Sequence, residues 1–465
     1  MSRAINDSGA GNIDWITLIL YIVMVLFGWM NIHAASYNPD HPGLFSFDGF
    51  GGKQLMFIAI AGVVAVLIMY MEGTVFSQFG WLVYLICIGL LVLVLVVGSE
   101  KKGAQAWIQL GSFTLQPSEF AKMGTALLLA QFVSTTKAKF KTWRTRIIAA
   151  AIIGLPAGLV LLQPDVGSVL VFVGFIFAMY REGLSGNILI VGVALIVLAV
   201  VSIIAGASMI HYPFMGETTF SGVFLILIIL SILTILALVF IRNFVVPRAR
   251  KLAYIVTLIS WFAGSSFCLS IDIIMADVLQ PHQRERILVL FGLEERAMGI
   301  GQEEAKETAS DTGGKQKKKD PGYNARMAKI TVGSGGFFGH GFMEGPMTRN
   351  HYVPEQWTDF IFSAVAEEWG FLGSLLVLGM FVYLIIRLIG MAERQRSHFS
   401  RVYGYCVVSI LFMHLLINIG MVIGLAPIIG IPLPFFSYGG SSLLAFTILL
   451  FIFLRLDAER LAVFR

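Results

Sequence analysis

Long apolar segments alternate with short polar ones along most of the chain. A helix needs about 17–25 mostly apolar residues to cross a hydrocarbon core roughly 30 Å thick. Two of the apolar segments meet at the QPD turn, 163–165, which predicts a tight hairpin. The pattern predicts an all-α polytopic membrane protein with about twelve transmembrane helices, near 14–31, 54–71, 80–98, 117–134, 147–163, 166–181, 187–209, 221–242, 252–276, 360–387, 402–426 and 439–456.

Composition agrees with this class of protein. Of the 465 residues, 57% are hydrophobic and 13% are charged, whereas a soluble domain has about 25% charged residues. Mean hydropathy is +0.82. Cys87, Cys268 and Cys406 all lie in apolar segments, so we expect neither a disulfide framework nor redox chemistry. With a net charge of only +5, we expect no nucleic-acid partner.

The positions of the positive charges predict the orientation, because loops rich in Lys and Arg stay in the cytoplasm. Segments 135–146 and 242–251 carry five and four positive residues, and 387–401 carries four. With twelve helices these segments fall on the cytoplasmic side together with both termini. The opposite side then carries a long loop at 277–358, and Asp359 faces outward.

The chain is therefore expected to have three parts: helices one to nine in 1–276, a large extracytoplasmic loop at 277–358, and helices ten to twelve in 359–465. Within the loop, 301–320 is polar, lacks aromatic residues and has mixed charge, so it is predicted to be disordered. Segment 327–342 is rich in glycine, which predicts that its backbone approaches a ligand closely.

Ionisable residues at membrane depth are functional candidates, because each is costly there unless it is paired. Glu119 and Lys122 lie three residues apart and share a helix face. They fit a buried structural ion pair or a pair that faces a substrate. Asp165 fits a cap of the following helix as well as a site residue. Asp359 stands where the chain turns from polar to apolar, directly before Phe360.

Other candidates lie in the predicted outer loops. Trp107 fits an aromatic anchor at the membrane interface. Arg284 and Arg286 fit a phosphate-binding pair, because guanidinium groups match phosphate oxygens, and they equally fit a contact with anionic lipid headgroups. Segment 424–442 has three prolines and four glycines between two apolar segments. Such a backbone is tolerated at membrane depth only where protein or a water-filled cavity covers it, so it is expected to line a site.

These residues alone fit a transporter and a membrane-embedded enzyme. Five motifs in sequence order decide between them, because together they resemble the SEDS family of shape, elongation, division and sporulation proteins. Within this family, PEQWTDFIF followed by AEEWGF is most similar to the RodA branch. The motifs are GAQAWIQLGSFTLQPSEFAK, QPDVGS, AKITVGSGGFFGHGF, PEQWTDFIFSAVAEEWGFLG and NIGMVIGLAPIIGIPLPFFSYGGSS.

The resemblance implies a peptidoglycan glycosyltransferase that polymerises lipid II into glycan strands at the outer face of the bacterial cytoplasmic membrane, beside a class B penicillin-binding protein. Asp359 matches the family's essential acid, and we expect it to act as a general base in the first turn of a helix. Trp107, Glu119, Lys122 and Asp165 match family positions around the central cavity. The leaving polyprenyl pyrophosphate needs cations, for which Lys122, Arg284, Arg286 or a divalent ion such as Mg²⁺ or Mn²⁺ are candidates.

Two features depart from the family pattern. Trp357 stands where the family usually has His, so no imidazole lies two residues before the acid. The family commonly has ten spans, and the surplus here falls between 187 and 276 as an added hairpin. A lipid II flippase is the alternative function. A flippase often shows inverted repeats, whereas this chain has no convincing internal repeat and its candidate polar groups concentrate on one side.

Overall fold

A computed structural model describes residues 13–37, 49–101, 104–111, 113–135, 140, 142–206, 209–211, 219–278, 284, 288, 323–426 and 428–461. The chain divides into two compact units. The first comprises 1–185 and 324–465, and the second comprises 186–323. The predicted disordered segment 301–320 and Arg286 lie outside the described residues.

Each of the twelve predicted apolar segments is helical. Ten described helices are long and apolar enough to cross a membrane, which confirms an all-α polytopic membrane fold. The segments at 117–134 and 166–181 form helices that are less apolar or shorter than these ten. The count of twelve spans and the added hairpin therefore stay predictions.

The first unit contains the helices α1 to α7 and, after the second unit, α11 to α15. The first group is α1 Trp15–Ala35, α2 Phe50–Tyr70, α3 Gly73–Val97, α4 Pro117–Thr135, α5 Trp143–Leu161, α6 Val166–Val173 and α7 Phe175–Arg181. The later group is α11 Tyr323–Ser334, α12 Pro346–Arg349, α13 Ile361–Glu393, α14 His398–Ile423 and α15 Gly440–Ala458. Side-chain caps begin several of them, since Asp14, Thr142, Asp165 and Ser397 each accept a backbone N–H of the first turn.

The core of the first unit centres on α14 and α15. These two helices are buried around most of their circumference, whereas α1, α2, α3 and α13 bury one side and expose large apolar residues on the other. An apolar face left exposed on so many long helices is expected where lipid is the solvent.

A small antiparallel sheet, which the helical prediction missed, occupies the predicted loop at 99–116. Its strands are β1 Ser99–Lys101, β2 Ala104–Leu110 and β3 Phe113–Leu115, in the order β1-β2-β3. The turn between the last two strands uses Gly111 at a φ of +64°. The sheet is tied to α15, because Ser441 Oγ donates to the Thr114 carbonyl over 2.7 Å.

The glycine-rich segment packs closely against a helix, and its approach to a ligand stays a prediction. Helix α13 has a non-helical residue at Gly370, with φ of +64° and ψ of −160°. The segment enters this break: a Cβ on Gly335 would lie 2.0 Å from the Ala366 carbonyl oxygen, and one on Gly339 would lie 2.2 Å from the Glu368 carbonyl oxygen. Backbone N–H groups of 340 and 341 bind the carbonyls of 367 and 368 at 3.0 Å, replacing helical hydrogen bonds.

The second unit is made of three long apolar helices, α8 Gly186–Gly206, α9 Val223–Phe244 and α10 Pro247–Ile273. A π-helical turn, Ile274–Val278, extends α10, and two short strands, β4 Met209–His211 and β5 Thr219–Ser221, pair antiparallel. Its described core is small, with Val223, Ile226 and Cys268 buried. The remaining surface of its helices is largely exposed and apolar.

Candidate active site

Asp359 lies just before α13. The helix begins at Ile361 with Phe360 as its N-cap. Asp359 therefore lies outside the helix, whereas the sequence analysis placed it in the first turn. The residue belongs to the turn 355–360, in which the N–H groups of Thr358 and Phe360 bind the Glu355 carbonyl. Its side chain is half-buried. The turn, more than the helix, therefore sets where the carboxylate points.

Three successive carbonyl groups at the end of this turn are each held by a different donor from the C-terminal part of the chain. The donors are two residues of the loop before α15 and one residue of α14. The bonds are Tyr438 N to Trp357 O at 2.8 Å, Ser437 Oγ to Thr358 O at 2.6 Å, and Asn418 Nδ2 to Asp359 O at 2.9 Å. With three consecutive carbonyls fixed, the main chain that carries Asp359 has little freedom to move.

The loop between α14 and α15 also contacts the carboxylate. Gly430 has a φ of +72°, and a Cβ placed there would lie 3.3 Å from Asp359 Oδ2. Glycine thus serves two needs at this position, the left-handed backbone and the space for the acid. Within 424–442, residues 428–439 are irregular backbone, as expected, and Ile431, Leu433 and Phe436 in this stretch are buried.

Glu119 and Lys122 form the predicted ion pair. Lys122 Nζ lies 2.7 Å from Glu119 Oε1, and both side chains are almost fully buried on α4. The lysine also lies 2.8 Å from His414 Nε2 on α14, and His414 Nδ1 lies 3.1 Å from the Pro432 carbonyl. In the tautomer that satisfies both contacts, neutral His414 accepts from Lys122 and donates to Pro432. The pair therefore extends through His414 to the loop that contacts Asp359.

Asp165 caps α6, as its position after Pro164 suggests. Its Oδ1 accepts the Ser168 N–H at 3.0 Å, and its Oδ2 accepts Ser168 Oγ at 2.7 Å. Gln116 and Ser118 donate to Oδ2 from the start of α4 over 3.3 and 3.4 Å. The carboxylate thereby joins two helix beginnings, α4 and α6. This geometry supports the structural interpretation of Asp165.

Trp107 lies in β2 and is half-buried. Ser99 Oγ donates to its carbonyl at 3.2 Å, within the sheet. Trp357, at the position where the family usually has His, stacks on Phe50 with ring centroids 4.8 Å apart. An imidazole does lie beside it, because the ring centroids of His351 and Trp357 are 6.3 Å apart. Packing thus accounts for the aromatic residue at 357.

Of the two candidate phosphate-binding arginines, only Arg284 is described. It belongs to the second unit, and its guanidinium donates to the Ala276 carbonyl at the end of α10. Arg286 lies outside the described residues. No described group of three or more His, Cys, Asp or Glu side chains could hold a metal ion. A divalent cation stays a prediction.

Sequence reasoning missed several residues that shape the site, above all His414 and Asn418. Asn418 Nδ2 binds the Ile431 carbonyl at 2.7 Å in addition to that of Asp359. A signal for both was present: they are polar, lie four residues apart in the otherwise apolar stretch 410–423 of α14, and hence share one face. Gly430 carried no signal beyond the glycine content of its segment.

The chain was then compared with known proteins. The profile of a family described as cell cycle proteins, which includes FtsW, RodA and SpoVE, matches residues 14–214 and 224–461. Peptidoglycan glycosyltransferase MrdB of Escherichia coli K12 is 30% identical over 434 residues, covering 93% of this chain and 90% of MrdB. Peptidoglycan glycosyltransferase RodA of Treponema pallidum is 26% identical over 459 residues, covering 97% of this chain and 99% of that protein.

Solved structures share the fold. A chain of a peptidoglycan synthase complex, described as coordinating polymerisation and crosslinking, has a TM-score of 0.64 at 24% identity, covering 98% of this chain and 100% of that chain. The crystal structure of RodA from Thermus thermophilus has a TM-score of 0.55 at 22% identity, covering 97% of this chain and 98% of that chain.

Proposed function

Since this chain belongs to the FtsW/RodA/SpoVE family of cell cycle proteins, we propose that it polymerises lipid II into glycan strands at the outer face of the bacterial cytoplasmic membrane during cell elongation. The chain is a peptidoglycan glycosyltransferase, the activity that MrdB and RodA carry in their names. The substrate, the membrane face, the elongation branch and the residue roles are the parts that the proposal adds.

In the proposed reaction, Asp359 is the general base. The 4-hydroxyl of the acceptor sugar loses its proton to the carboxylate as its oxygen bonds the anomeric carbon of the donor sugar. The bond from that carbon to the diphosphate breaks, and polyprenyl pyrophosphate leaves with the electron pair. A hydroxyl is a weak nucleophile until a positioned base takes its proton, which contributes about 10²–10⁴-fold to such a rate.

The observation that carries this role is the hold on the main chain at 357–359. Tyr438, Ser437 and Asn418 fix the three carbonyls around Asp359, and Gly430 leaves room beside its carboxylate. A base must be kept in productive geometry by groups that are themselves locked in place. Asp359 is half-buried, so the residue is not sealed within the core.

The leaving diphosphate requires positive charge. Lys122 is buried and bound to Glu119 and His414, so we assign it to holding the loop at Pro432 and not to direct contact with the diphosphate. Arg284 and Arg286 remain the proposed cations, together with a divalent ion that arrives with the substrate. Trp107 and Asp165 are proposed to shape the cavity that binds the substrate. Trp107 would act through the sheet and Asp165 through the start of α6.

Partners and location follow from the same proposal. The lipid tails of both substrates stay in the bilayer, so their sugars meet the enzyme just above the hydrocarbon boundary. The relative in a peptidoglycan synthase complex supports a partner that crosslinks the strands, which we propose to be a class B penicillin-binding protein. Both termini are then cytoplasmic, and the Asp359 end of the first unit faces outward.

The proposal is tested by gel analysis of glycan chains made from purified lipid II. Asp359→Ala should lower polymerisation by about 100-fold or more, since it removes the base, while the protein still elutes as a folded species. Glu182→Gln is the matched control, a buried carboxylate that pairs with Arg401 near the end of α7, and it should keep the wild-type rate. Wild-type activity of Asp359→Ala contradicts the assignment of the base, and an inactive wild-type protein contradicts the function.

A further inference from the structure

A second acid, Glu367, lies two turns into α13 and is fully buried. The proposed chemistry gives it no role. Both of its carboxylate oxygens accept hydrogen bonds from the short helix α12: Oε1 from the Met347 N–H at 2.8 Å, and Oε2 from the Thr348 N–H at 2.8 Å and Thr348 Oγ1 at 2.5 Å. Its oxygens are therefore bound within the protein, and Glu367 does not reach a substrate.

The chain around α12 is shaped to fit this carboxylate. A Cβ on Gly345 would lie only 2.7 Å from Glu367 Oε2. The glycine thus allows the backbone that begins α12 to close around the acid. Ser334 Oγ, at the end of α11, donates to Glu367 Oε1 over 3.3 Å. The acid binds α12 from within a helix that is itself fixed in the core.

From α12 the hydrogen bonds continue to the turn of Asp359. The Thr348 carbonyl accepts Gln356 Nε2 at 2.7 Å. Gln356 is buried, and its amide also contacts the Ala35 carbonyl at 2.7 Å and His351 Nδ1 at 2.8 Å. Gln356 lies three residues before Asp359, in the turn that begins at Glu355. A continuous path of buried polar groups therefore joins Glu367, Thr348 and Gln356 to the turn that carries the base.

We infer that Glu367 is a positioning residue that acts through Thr348 and Gln356 to hold the turn 355–360, and with it Asp359, in the geometry for proton abstraction. The inference rests on the proposed function, because it assigns a role relative to that base. The three carbonyl bonds to Tyr438, Ser437 and Asn418 hold the turn from the C-terminal side. The Glu367 path holds the turn at Gln356, three residues before Asp359, so the two sets together fix both ends of the turn.

A purely structural role for these groups is the competing explanation, and kinetics separate the two. Displacing a catalytic group by about 1 Å lowers turnover by about 100-fold even when the substituted residue is distant from the chemistry. Such a change lowers kcat and kcat/KM equally, because it removes an interaction made only in the transition state. Loss of folded protein instead lowers the amount of active enzyme, which a titration of folded protein detects.

The experiment measures lipid II polymerisation by the full-length protein, with kcat and KM taken per folded molecule. Glu367→Gln replaces one acceptor oxygen by an NH₂ group that faces either the Met347 N–H or the Thr348 N–H, and we expect kcat to fall by about 100-fold with KM unchanged. Thr348→Ser should keep most of the wild-type kcat, because serine retains the hydroxyl that binds Glu367. Gln356→Leu should lower kcat as Glu367→Gln does, and the double variant should show no further loss.

The matched control is Gln395→Leu. Gln395 is another buried glutamine whose Nε2 donates to a backbone carbonyl, that of Met391 at 3.0 Å, and to Asp457. It should keep the wild-type kcat. If Glu367→Gln fails to fold, the kcat of Gln356→Leu alone tests the inference. Wild-type kcat in Gln356→Leu overturns the inference, as does an equal loss in Gln395→Leu. Both results leave the proposed function intact as long as the wild-type protein makes glycan chains.

Discussion

The two ends of the first unit hold their acidic residues in different ways. At the end where α1 begins and α13 and α15 finish, Asp14 Oδ2 lies 2.8 Å from Arg387 and 3.0 Å from Arg394. Arg394 also bonds Asp457 Oδ2, and Asp457 is fully buried. These side-chain ion pairs lock three helix ends together by charge.

At the opposite end, the bonds described around Asp359 act on its main chain. Their donors are the neutral groups of Tyr438, Ser437 and Asn418, and their acceptors are carbonyl oxygens. A buried ion pair fixes an acid by occupying its carboxylate. A general base needs its backbone held by groups that are themselves fixed in place. The difference separates an end held by side-chain ion pairs from an end at which the described bonds hold the main chain of the acid.

The largest effect is expected from breaking the charged end. Arg394→Ala removes the partner that Asp14 and Asp457 share, while Arg387 and Arg460 stay paired with them. Because the Arg394 side chain is 35% exposed, solvent screening lowers the expected loss to about 2 kcal/mol, below the cost of breaking a fully buried pair. Thermal unfolding in detergent should show a clear drop in midpoint, while kcat per folded molecule stays at the wild-type value. Arg396→Ala, an exposed neighbour, is the control and should change neither. A wild-type midpoint in Arg394→Ala would mean that the charge network does not stabilise this end.

A smaller effect is expected at the other end from Gly430→Ala. The added Cβ would lie 3.3 Å from Asp359 Oδ2 on a left-handed backbone, so the carboxylate must shift, and we expect kcat to fall about tenfold. Gly183→Ala controls for the strain alone, because Gly183 has a φ of +99° and open space around its Cβ position. Equal kcat in the two variants would remove Gly430 from the site.

The smallest effect concerns the pH dependence of stability. Burial disfavours the charge of Asp14, but hydrogen bonds from Arg387, Thr17 and Arg394 outweigh burial and lower the pKa of this carboxyl from 3.8 to about 2. Because the folded pKa is depressed, the stabilisation is fully present above pH 3.8 and is lost as pH falls through about 2. The difference in unfolding midpoint between the wild type and Asp14→Asn should therefore narrow over this interval. A constant difference contradicts the assignment.

The sequence predicted the helices well because the hydrocarbon core requires long apolar segments, and such segments are visible without any tertiary information. Two side-chain contacts could be predicted for the same reason, because each joins residues only three positions apart. They are the ion pair of Glu119 with Lys122 and the cap that Asp165 forms with Ser168. The sheet at 99–115 was missed, because its strands are short and their pairing depends on a glycine turn. The start of α13 was predicted one residue early, at 360, because the apolar run begins at Phe360.

The site itself depends on contacts between distant parts of the chain. Asn418 meets the Asp359 carbonyl across 59 positions, and Lys122 meets His414 across 292. Neither contact has a sequence pattern of its own. The close approach of the glycine-rich segment to the break at Gly370 could not be predicted either, because only the folded structure brings the two together.

The proposed chemistry requires Asp359 as the proton acceptor. The most direct measurement compares lipid II binding with single-turnover polymerisation by Asp359→Asn, whose amide keeps the shape of the side chain without its basicity. We predict that lipid II binds with wild-type affinity and that glycan bond formation falls by about 100-fold or more. Bond formation at the wild-type rate would contradict the central claim and leave the fixed turn at 355–360 without its proposed purpose.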